Sequence, residues 1–455
     1  MIDVKLFAAT DKNPIDMASL AGGICYQSKI PKIGARLNFK EKLFEVGHHT
    51  TIEHHSATFI VESLPIGDIT FGMHLANPFY NSDQRSGRFC SDMFLKPDYT
   101  EIENHIKIFW PDISSGIIAS VTDYVKTGVE IYRTNIAKAT EAAGDFVAEE
   151  RPFASAKIKG NIPKYAQEQM RMFISTIFPT AFLYTVDNSA LVAMYESAWT
   201  PAMRYLTGEM ARLFVEKYPE PETSLMFRED RRRKSDWGIT VKNVSWLGIL
   251  YEPAYELIDV FGEENFCLPE KNIMHPVDKL HFTPEMMENS IGDIKAEVKV
   301  SVATMAQDQR HRTIRRGLPR FTGDFYIPPV LRKLKLEKEA TKIMRRWFEV
   351  SNLVPDTLAM VLAPYGAMVK YTKSGSFNAV AHEQFKRHCW CTQQEICHLG
   401  LLQRLAIEKK FGSNSPLLGI FEPPCFRDGI CSEGDSYCGR DKAREKGNYF
   451  LVRKV

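Results

Sequence analysis

Several absences narrow this chain before any motif is read. Its opening residues, Met1-Ile2-Asp3-Val4-Lys5, form no basic region followed by an apolar core, and no uninterrupted apolar run reaches membrane-spanning length. A soluble, cytoplasmic protein is therefore expected. Neither sign of charge dominates: 58 Lys and Arg against 56 Asp and Glu leave a formal charge of +2. That balance excludes a broadly polycationic nucleic-acid binder, so anion recognition must be local and a small charged ligand is expected before a polymer. The cysteines number nine, odd and unevenly spread, which argues for free thiols or a few ligands over a disulfide framework. No low-complexity segment occurs.

What is present is enough for large cores: 455 residues at 44% apolar composition predict two domains of ordinary size. In residues 294–302, Ile294, Ala296, Val298, Val300 and Val302 alternate with Lys295, Glu297, Lys299 and Ser301, the period-2 pattern of a half-buried strand. Just past it comes Gln307-Asp308-Gln309-Arg310-His311-Arg312, dense in cationic and ionisable groups. In the first half, a strand-like run at 57–62 precedes Ser86-Gly87-Arg88, a small-residue context in which backbone amides and an arginine can hold an anion.

A weak internal repeat is legible. Each half has an early strand, an arginine-bearing segment, a long helical middle and a helix opening near a glutamate. In the first half that last helix contains Glu209 and Phe214 and stops at Pro219. In the second it contains Glu395, sets Ile396, Leu399, Leu402 and Leu405 on one face and ends at Gly412 as a C-terminal cap. The charged run 228–234, followed by Ser235, Asp236 and Gly238, reads as a solvated connection, and a division near residue 240 is expected.

These motifs resemble the flavin-dependent thymidylate synthases. Gly47-His48-His49-Thr50-Thr51-Ile52-Glu53-His54 matches the family's G-H-x-T-x-x-E-H; Ser86-Gly87-Arg88 matches its S-G-R, and Gly23-Ile24-Cys25-Tyr26 a segment that touches flavin. The first half departs in its middle, where Ala76-Asn77-Pro78 replaces R-H-R and Asn81 the usual serine. The second half is the mirror case: Gln307 to Arg312 match Q-x-x-R-H-R, but Gly317-Leu318-Pro319-Arg320 replaces S-G-R. Phe325-Tyr326-Ile327-Pro328, Arg387 and Gln393-x-Glu395-Ile396 resemble further landmarks.

The resemblance implies an α+β chain of two family-like repeats, 1–240 and 241–455, each an antiparallel sheet flanked by long helices, with one half-motif in each. A homodimer would then reproduce the family's tetramer as a pseudo-tetramer, in keeping with closed symmetry. The implied reaction is reductive methylation of dUMP to dTMP with reduced FAD and methylenetetrahydrofolate, NADPH reducing the flavin. The resemblance assigns catalysis to Arg88, Arg310 and Gln307. Nucleotide binding falls to Gln84, Ser86, Gly87, Arg88, Gln307 and Arg310, and flavin binding to Cys25, His48, His49, Arg310, His311, Arg312 and Arg387. Arginine suits such work because its guanidinium forms bidentate charge-assisted bonds.

Three departures bear on substrate. Gln84 replaces a glutamate and drops a charge. A family arginine aligns with Thr185 in one half and Lys370 in the other, and a second with Cys397. Each lost charge-assisted contact is worth roughly 1.5–3 kcal/mol, so a different pyrimidine nucleotide stays open as substrate, as does a degenerate nucleotide- or flavin-binding protein. Arg310, Arg312, Arg315, Arg316 and Arg320 also read as a plain basic surface. No metal is assigned: His48, His49, His54 and His55 lack a paired distal motif. Cys425-x5-Cys431-x6-Cys438 needs a fourth ligand, which His388, Cys389, Cys391 or Cys397 could supply, but fits no standard zinc knuckle.

Overall fold

The structure is a computed structural model describing residues 1–455 except 33, 35–48, 77–79, 91, 236–237, 269–279, 428–430, 432 and 446–451. It is α+β and divides into two compact units. The first comprises residues 1–86, 98–118 and 176–238; the second comprises 87–97, 119–175 and 239–455.

In the first unit, strands β1 (Asp3–Ala9), β2 (Ser56–Pro65), β3 (Tyr80–Gln84) and β4 (Pro179–Asp187) form an antiparallel sheet in the order β1-β2-β4-β3. The run expected at 57–62 lies inside β2, whose Ala57, Phe59 and Val61 point inward while their neighbours are more exposed, as the pleat requires. Helix Pro201–Lys217 contributes Met203, Leu206, Met210 and Phe214 to the core, a 3- and 4-residue spacing that makes one apolar stripe. Its start is set by Thr200, whose Oγ1 accepts from the Met203 amide at 3.1 Å and donates to buried Asp68 Oδ1 at 2.7 Å, with Pro201 next in line. It ends at Lys217, ahead of the expected stop at Pro219.

In the second unit, β5 (Gly248–Leu250), β6 (Ala254–Phe261), β7 (Asp293–Ser301), β8 (Arg315–Arg316), β9 (Arg320–Tyr326) and β10 (Ala367–Ser376) form a sheet ordered β5-β9-β10-β7-β6, with β8 also pairing β10. Every pairing is antiparallel except β5 with β9, which is parallel. The strand expected at 294–302 is β7, with Ile294, Ala296, Val298 and Val300 buried. It stops one residue early because Ser301 caps helix Val302–Asp308, its Oγ accepting from the Thr304 amide at 3.1 Å. β10 runs beside β7 from Met368 opposite Ser301 to Ser376 opposite Asp293, and Phe377, Val380, Ile407 and Ile420 cover Ile294 and Ile314.

The last long helix is Gln394–Phe411, and Gly412 follows it at φ +84°, a left-handed value that glycine adopts without strain. The stripe expected on it is only half right. Ile396 and Leu399 are buried, but Leu405 is 49% exposed, and Gln403 and Ile407 face inward instead. Steps of three fall short of a 3.6-residue turn, so nine residues of such steps drift to the opposite face.

Candidate active site

Residues 391–395, at the entrance to the Gln394–Phe411 helix, are the point on which the second unit's polar side chains converge. Glu395 reaches β7: its carboxylate accepts from the Ser301 amide at 2.7 Å, from the Ser301 hydroxyl and from Thr304 Oγ1 at 2.6 Å. An acid at the start of the Val302–Asp308 helix suits the exposed amides and positive dipole end there. Burial pushes the Glu395 pKa up to about 6, with these hydrogen bonds opposing it. Gln393 Nε2 adds a bond to Thr304 Oγ1 at 3.0 Å.

The other end of that helix is held just as firmly. Asp308 is fully buried; its Oδ2 accepts from Arg316 Nε at 2.6 Å and from the Tyr371 hydroxyl at 2.9 Å, and its Oδ1 from Lys373 Nζ at 2.8 Å. Lys373 also reaches Glu383 at 2.6 Å, so two carboxylates and two cations are balanced inside the unit. Burial alone would raise the Asp308 pKa, but Arg316 and Lys373 outweigh it and hold it well below the carboxylate range. Arg316 donates further to the carbonyls of Asp308, His311 and Ile314 at 2.5, 3.0 and 2.9 Å, bracing the turn that carries Arg310, His311 and Arg312. Arg316 is therefore a buried strut, whereas Arg315 and Arg320 lie exposed, and the reading of the whole cluster as basic surface does not hold.

Between these anchors, Gln307 Nε2 and Arg387 Nη1 each donate to Thr392 Oγ1 at 3.3 Å, and Arg387 Nη2 donates to the Gln307 carbonyl at 2.6 Å. Arg88 joins the same segment: Nη2 donates to the Cys391 carbonyl at 3.3 Å, while Nε and Nη2 both meet Glu168 Oε2 at 2.7 Å. Glu168 Oε1 accepts from the Gln394 amide at 2.9 Å. Burial would raise the Glu168 pKa; the charges of Arg88 and Arg453 outweigh it and keep it below the ordinary value. Gly87 is closely enclosed: a Cβ there would lie 3.3 Å from Phe94, which would have to give slightly, 3.4 Å from the Tyr365 hydroxyl and 3.5 Å from Arg171. Arg171 in turn donates to Gln393 Oε1 at 3.0 Å.

Of the residues expected from sequence, Gly87, Arg88, Gln307, Arg310, His311, Arg312 and Arg387 belong to the second unit. Cys25, His49, Gln84 and Ser86 belong to the first: Cys25 is exposed in the last turn of helix Pro14–Tyr26, His49 is exposed, Gln84 closes β3 and Ser86 is half-buried. His48, Asn77 and Pro78 lie outside the described residues. His55 is a core residue, with Phe214 and Tyr218 edge-on at 5.3 and 5.0 Å. The two residues aligned with a missing arginine are both engaged across strands, Thr185 with the Thr58 hydroxyl at 2.9 Å and Lys370 with Glu297. Cys397 is buried beside Ile158, Trp390 and Cys438.

Sequence reasoning missed Glu168, Arg171, Thr392, Asp308 and Arg453. The one available signal was Gln167-Glu168-Gln169-Met170-Arg171, a polar run closing helix Ile162–Met170 and yet wholly buried. It also missed two cavities. One, of ≈ 80 Å³, is lined by Arg88, Phe89, Lys164 and Tyr165; the other, of ≈ 350 Å³, by Tyr251, Arg332, Lys333, Gln394 and Lys454. The larger falls within the size range of small-molecule sites.

Buried polar atoms with no hydrogen-bond partner among the described residues include Gln307 Oε1, His311 Nδ1, Arg387 Nε and Arg171 Nε. Buried polar atoms are normally paired, so an orphaned acceptor, imidazole nitrogen and guanidinium N–H suit a polar ligand that offers both a hydrogen-bond donor and acceptors. Burial lowers the Arg387 pKa to about 10, which still leaves it cationic at neutral pH. Burial, with Arg387 and His382 adding to it, drives His311 well below its usual range, so its ring is neutral there. These groups fit the donor and acceptor edge of a heterocycle and, through Arg387, an anionic group.

Residues 5–220 match the family described as thymidylate synthase complementing protein. No curated protein matches the chain. Among solved structures, a thymidylate synthase X from Helicobacter pylori with FAD and dUMP aligns at 14% identity and TM-score 0.30, covering 51% of this chain and 99% of its own. A second from Helicobacter pylori, complexed with FAD and dUMP, gives 17% and 0.31 over 51% and 100%. A UMP/dUMP methylase, PolB, from Streptomyces cacaoi bound with 5-Br dUMP gives 16% and 0.28 over 50% and 94%.

Proposed function

We propose that this chain, whose residues 5–220 match the thymidylate synthase complementing protein family, carries out a flavin-dependent methylation of dUMP to dTMP. Methylenetetrahydrofolate would be the carbon donor and NADPH the reductant. The observation that carries this reading is the meeting of Arg88, Gln307 and Arg387 on Cys391 and Thr392, with orphaned polar atoms beside them. It supports Arg88 and Gln307, one from each half-motif, serving one site.

Bound FAD supplies the redox chemistry when reduced; the protein's share is orientation and charge stabilisation. In this reading Gln307 presents its amide to the pyrimidine edge, and Arg88 and Arg310 hold the phosphate with Ser86, Gly87 and Gln84. His311, Arg312 and Arg387 hold the flavin; the resemblance also assigns Cys25, His48 and His49 to it. The neutral His311 ring offers one donor and one acceptor without a competing positive charge. A dimer of two-repeat chains forming a pseudo-tetramer, in the cytoplasm, completes the proposal. No helix among the described residues is long and apolar enough to cross a membrane.

A second reading has an observation in its favour. Thr185 and Lys370 are tied to Thr58 and Glu297, so neither stands in for the missing phosphate-binding arginine, which favours C5 alkylation of another pyrimidine nucleotide. Supplying the gene to a thymidine-requiring strain separates the two: growth without thymidine supports dUMP, and no growth from a flavin-loaded, nucleotide-binding protein supports the other nucleotide. Arg88→Ala and Arg310→Ala should each abolish turnover if both serve one site; full turnover in either variant would end the shared-site reading.

A further inference from the structure

Cys389-x-Cys391 leads into the converging segment, and the tail carries Cys425, Cys431 and Cys438; all five line one cavity of ≈ 20 Å³ in the second unit. None of the nine cysteines is in a disulfide. A ligand atom from each of Cys389, Cys391 and Glu433 lies within 4.8 Å of the others, and Cys389 is within electrostatic range of Cys425, Cys431 and Cys438. The Cys391 amide points at Cys389 Sγ at 3.5 Å, the kind of N–H···S contact that supports a thiolate. Tail cysteines distant in sequence have thus been gathered onto a C-x-C pair, and the space between them is that of about one water-sized sphere. A single ion fits it; an iron–sulfur cluster does not.

We infer that this cavity is a structural zinc site, in which Cys389, Cys391 and Glu433, whose ligand atoms already lie together, and one thiolate of the tail hold one tetrahedral Zn²⁺. Soft sulfur donors predominate in this small space, which Trp390, Pro423, Pro424, Glu433, Ser436 and Arg440 also line, and they select zinc over magnesium or calcium, which take oxygen ligands. The site would clamp the tail to residues 389–391, next to the Cys391 carbonyl that receives Arg88 and the Thr392 hydroxyl that receives Gln307 and Arg387. Its role is positioning: zinc there touches no reacting atom.

The test is metal content of the full-length chain purified from zinc-supplemented medium without a metal-affinity step. Wild type should carry about one zinc per chain, and cobalt substitution should give the visible bands and the thiolate charge-transfer band of a tetrahedral sulfur site. Cys389→Ser and Cys391→Ser should lower zinc content at least about tenfold, as expected for loss of a ligand. Cys267→Ser, at an exposed cysteine outside the cavity, should leave it unchanged. Wild type that carries no zinc and gives no cobalt spectrum would overturn the proposal, even if the variants misfold. So would iron with acid-labile sulfide, or a mass two hydrogens short showing a disulfide in the cavity. Because the readout is metal, it stands or falls independently of the nucleotide chemistry.

Discussion

The charge network beneath the Arg310–Arg312 turn makes the most quantitative prediction. Asp308→Asn preserves shape but removes one of two buried negative charges, leaving Arg316 and Lys373 facing Glu383 alone. It also sets an amide donor against a donor already there, either Lys373 Nζ at 2.8 Å or Arg316 Nε at 2.6 Å with the Tyr371 hydroxyl. Breaking one partner of a buried ion pair typically costs about 3–5 kcal/mol, because the desolvation of the remaining charge is no longer offset. At about 2–4 °C per kcal/mol for a body of this size, the melting temperature should fall by roughly 6–20 °C. Adding Lys373→Met restores the charge balance, with Glu383 left to Arg316 at 4.0 Å, and the double variant should be more stable than Asp308→Asn alone. Urea and thermal unfolding of wild type, single and double variants measure this. A single variant within about 1 kcal/mol of wild type, or a double variant no better than the single, would refute the reasoning.

Three further outcomes are expected. Thr392→Val deletes the hydroxyl shared by Gln307 and Arg387 without changing shape; losing one neutral and one charge-assisted bond, about 2–4 kcal/mol at most, should weaken FAD binding in a fluorescence titration by one order of magnitude or more. In the first unit, burial raises the Asp68 pKa to about 7 from its usual 3.8, with Thr200 opposing. The folded state thus holds a proton that the unfolded state releases, so stability falls as pH rises from about 4 to about 7. Asp68→Asn, which keeps the Thr200 bond, should match wild type near pH 4 and exceed it at pH 8 by up to about 4 kcal/mol, read from urea midpoints. Arg88→Ala strips Glu168 of its nearer cation and leaves Arg453 at 3.7 Å, so it should lower the melting temperature as well as activity; unchanged melting would show that the Glu168 pair contributes little.

Much of this was legible in the residues, for identifiable reasons. The β7 alternation, the run inside β2 and the Gly412 cap are local patterns whose period or backbone freedom alone specifies them. Gln307, Arg310 to Arg312 and Arg387 were found as a motif, and the structure puts Gln307 and Arg387 on one hydroxyl. What failed to show was everything decided by tertiary packing. Arg316 and Arg315 are adjacent and chemically identical, yet one is a buried strut and the other an exposed partner of Asp293. Thr392 and Glu168 carry no motif, and their importance comes only from what reaches them. Similarly, residues 87–97 and 119–175 pack with the second unit although they precede part of the first in the chain, and no spacing rule announces that. The tail cysteines offered three ligands and four candidates for a fourth, and of those candidates folding set Cys389 and Cys391 on the same cavity.

The most direct test of the central claim is the visible spectrum of the purified full-length protein through one catalytic cycle. Flavin absorbance should be present, or be restored by loading with FAD. It should bleach anaerobically with NADPH and return on addition of dUMP and methylenetetrahydrofolate, with dTMP formed in step. A colourless protein that cannot be loaded with FAD would contradict the account, as would one whose reduced flavin is left unchanged by every uracil nucleotide supplied.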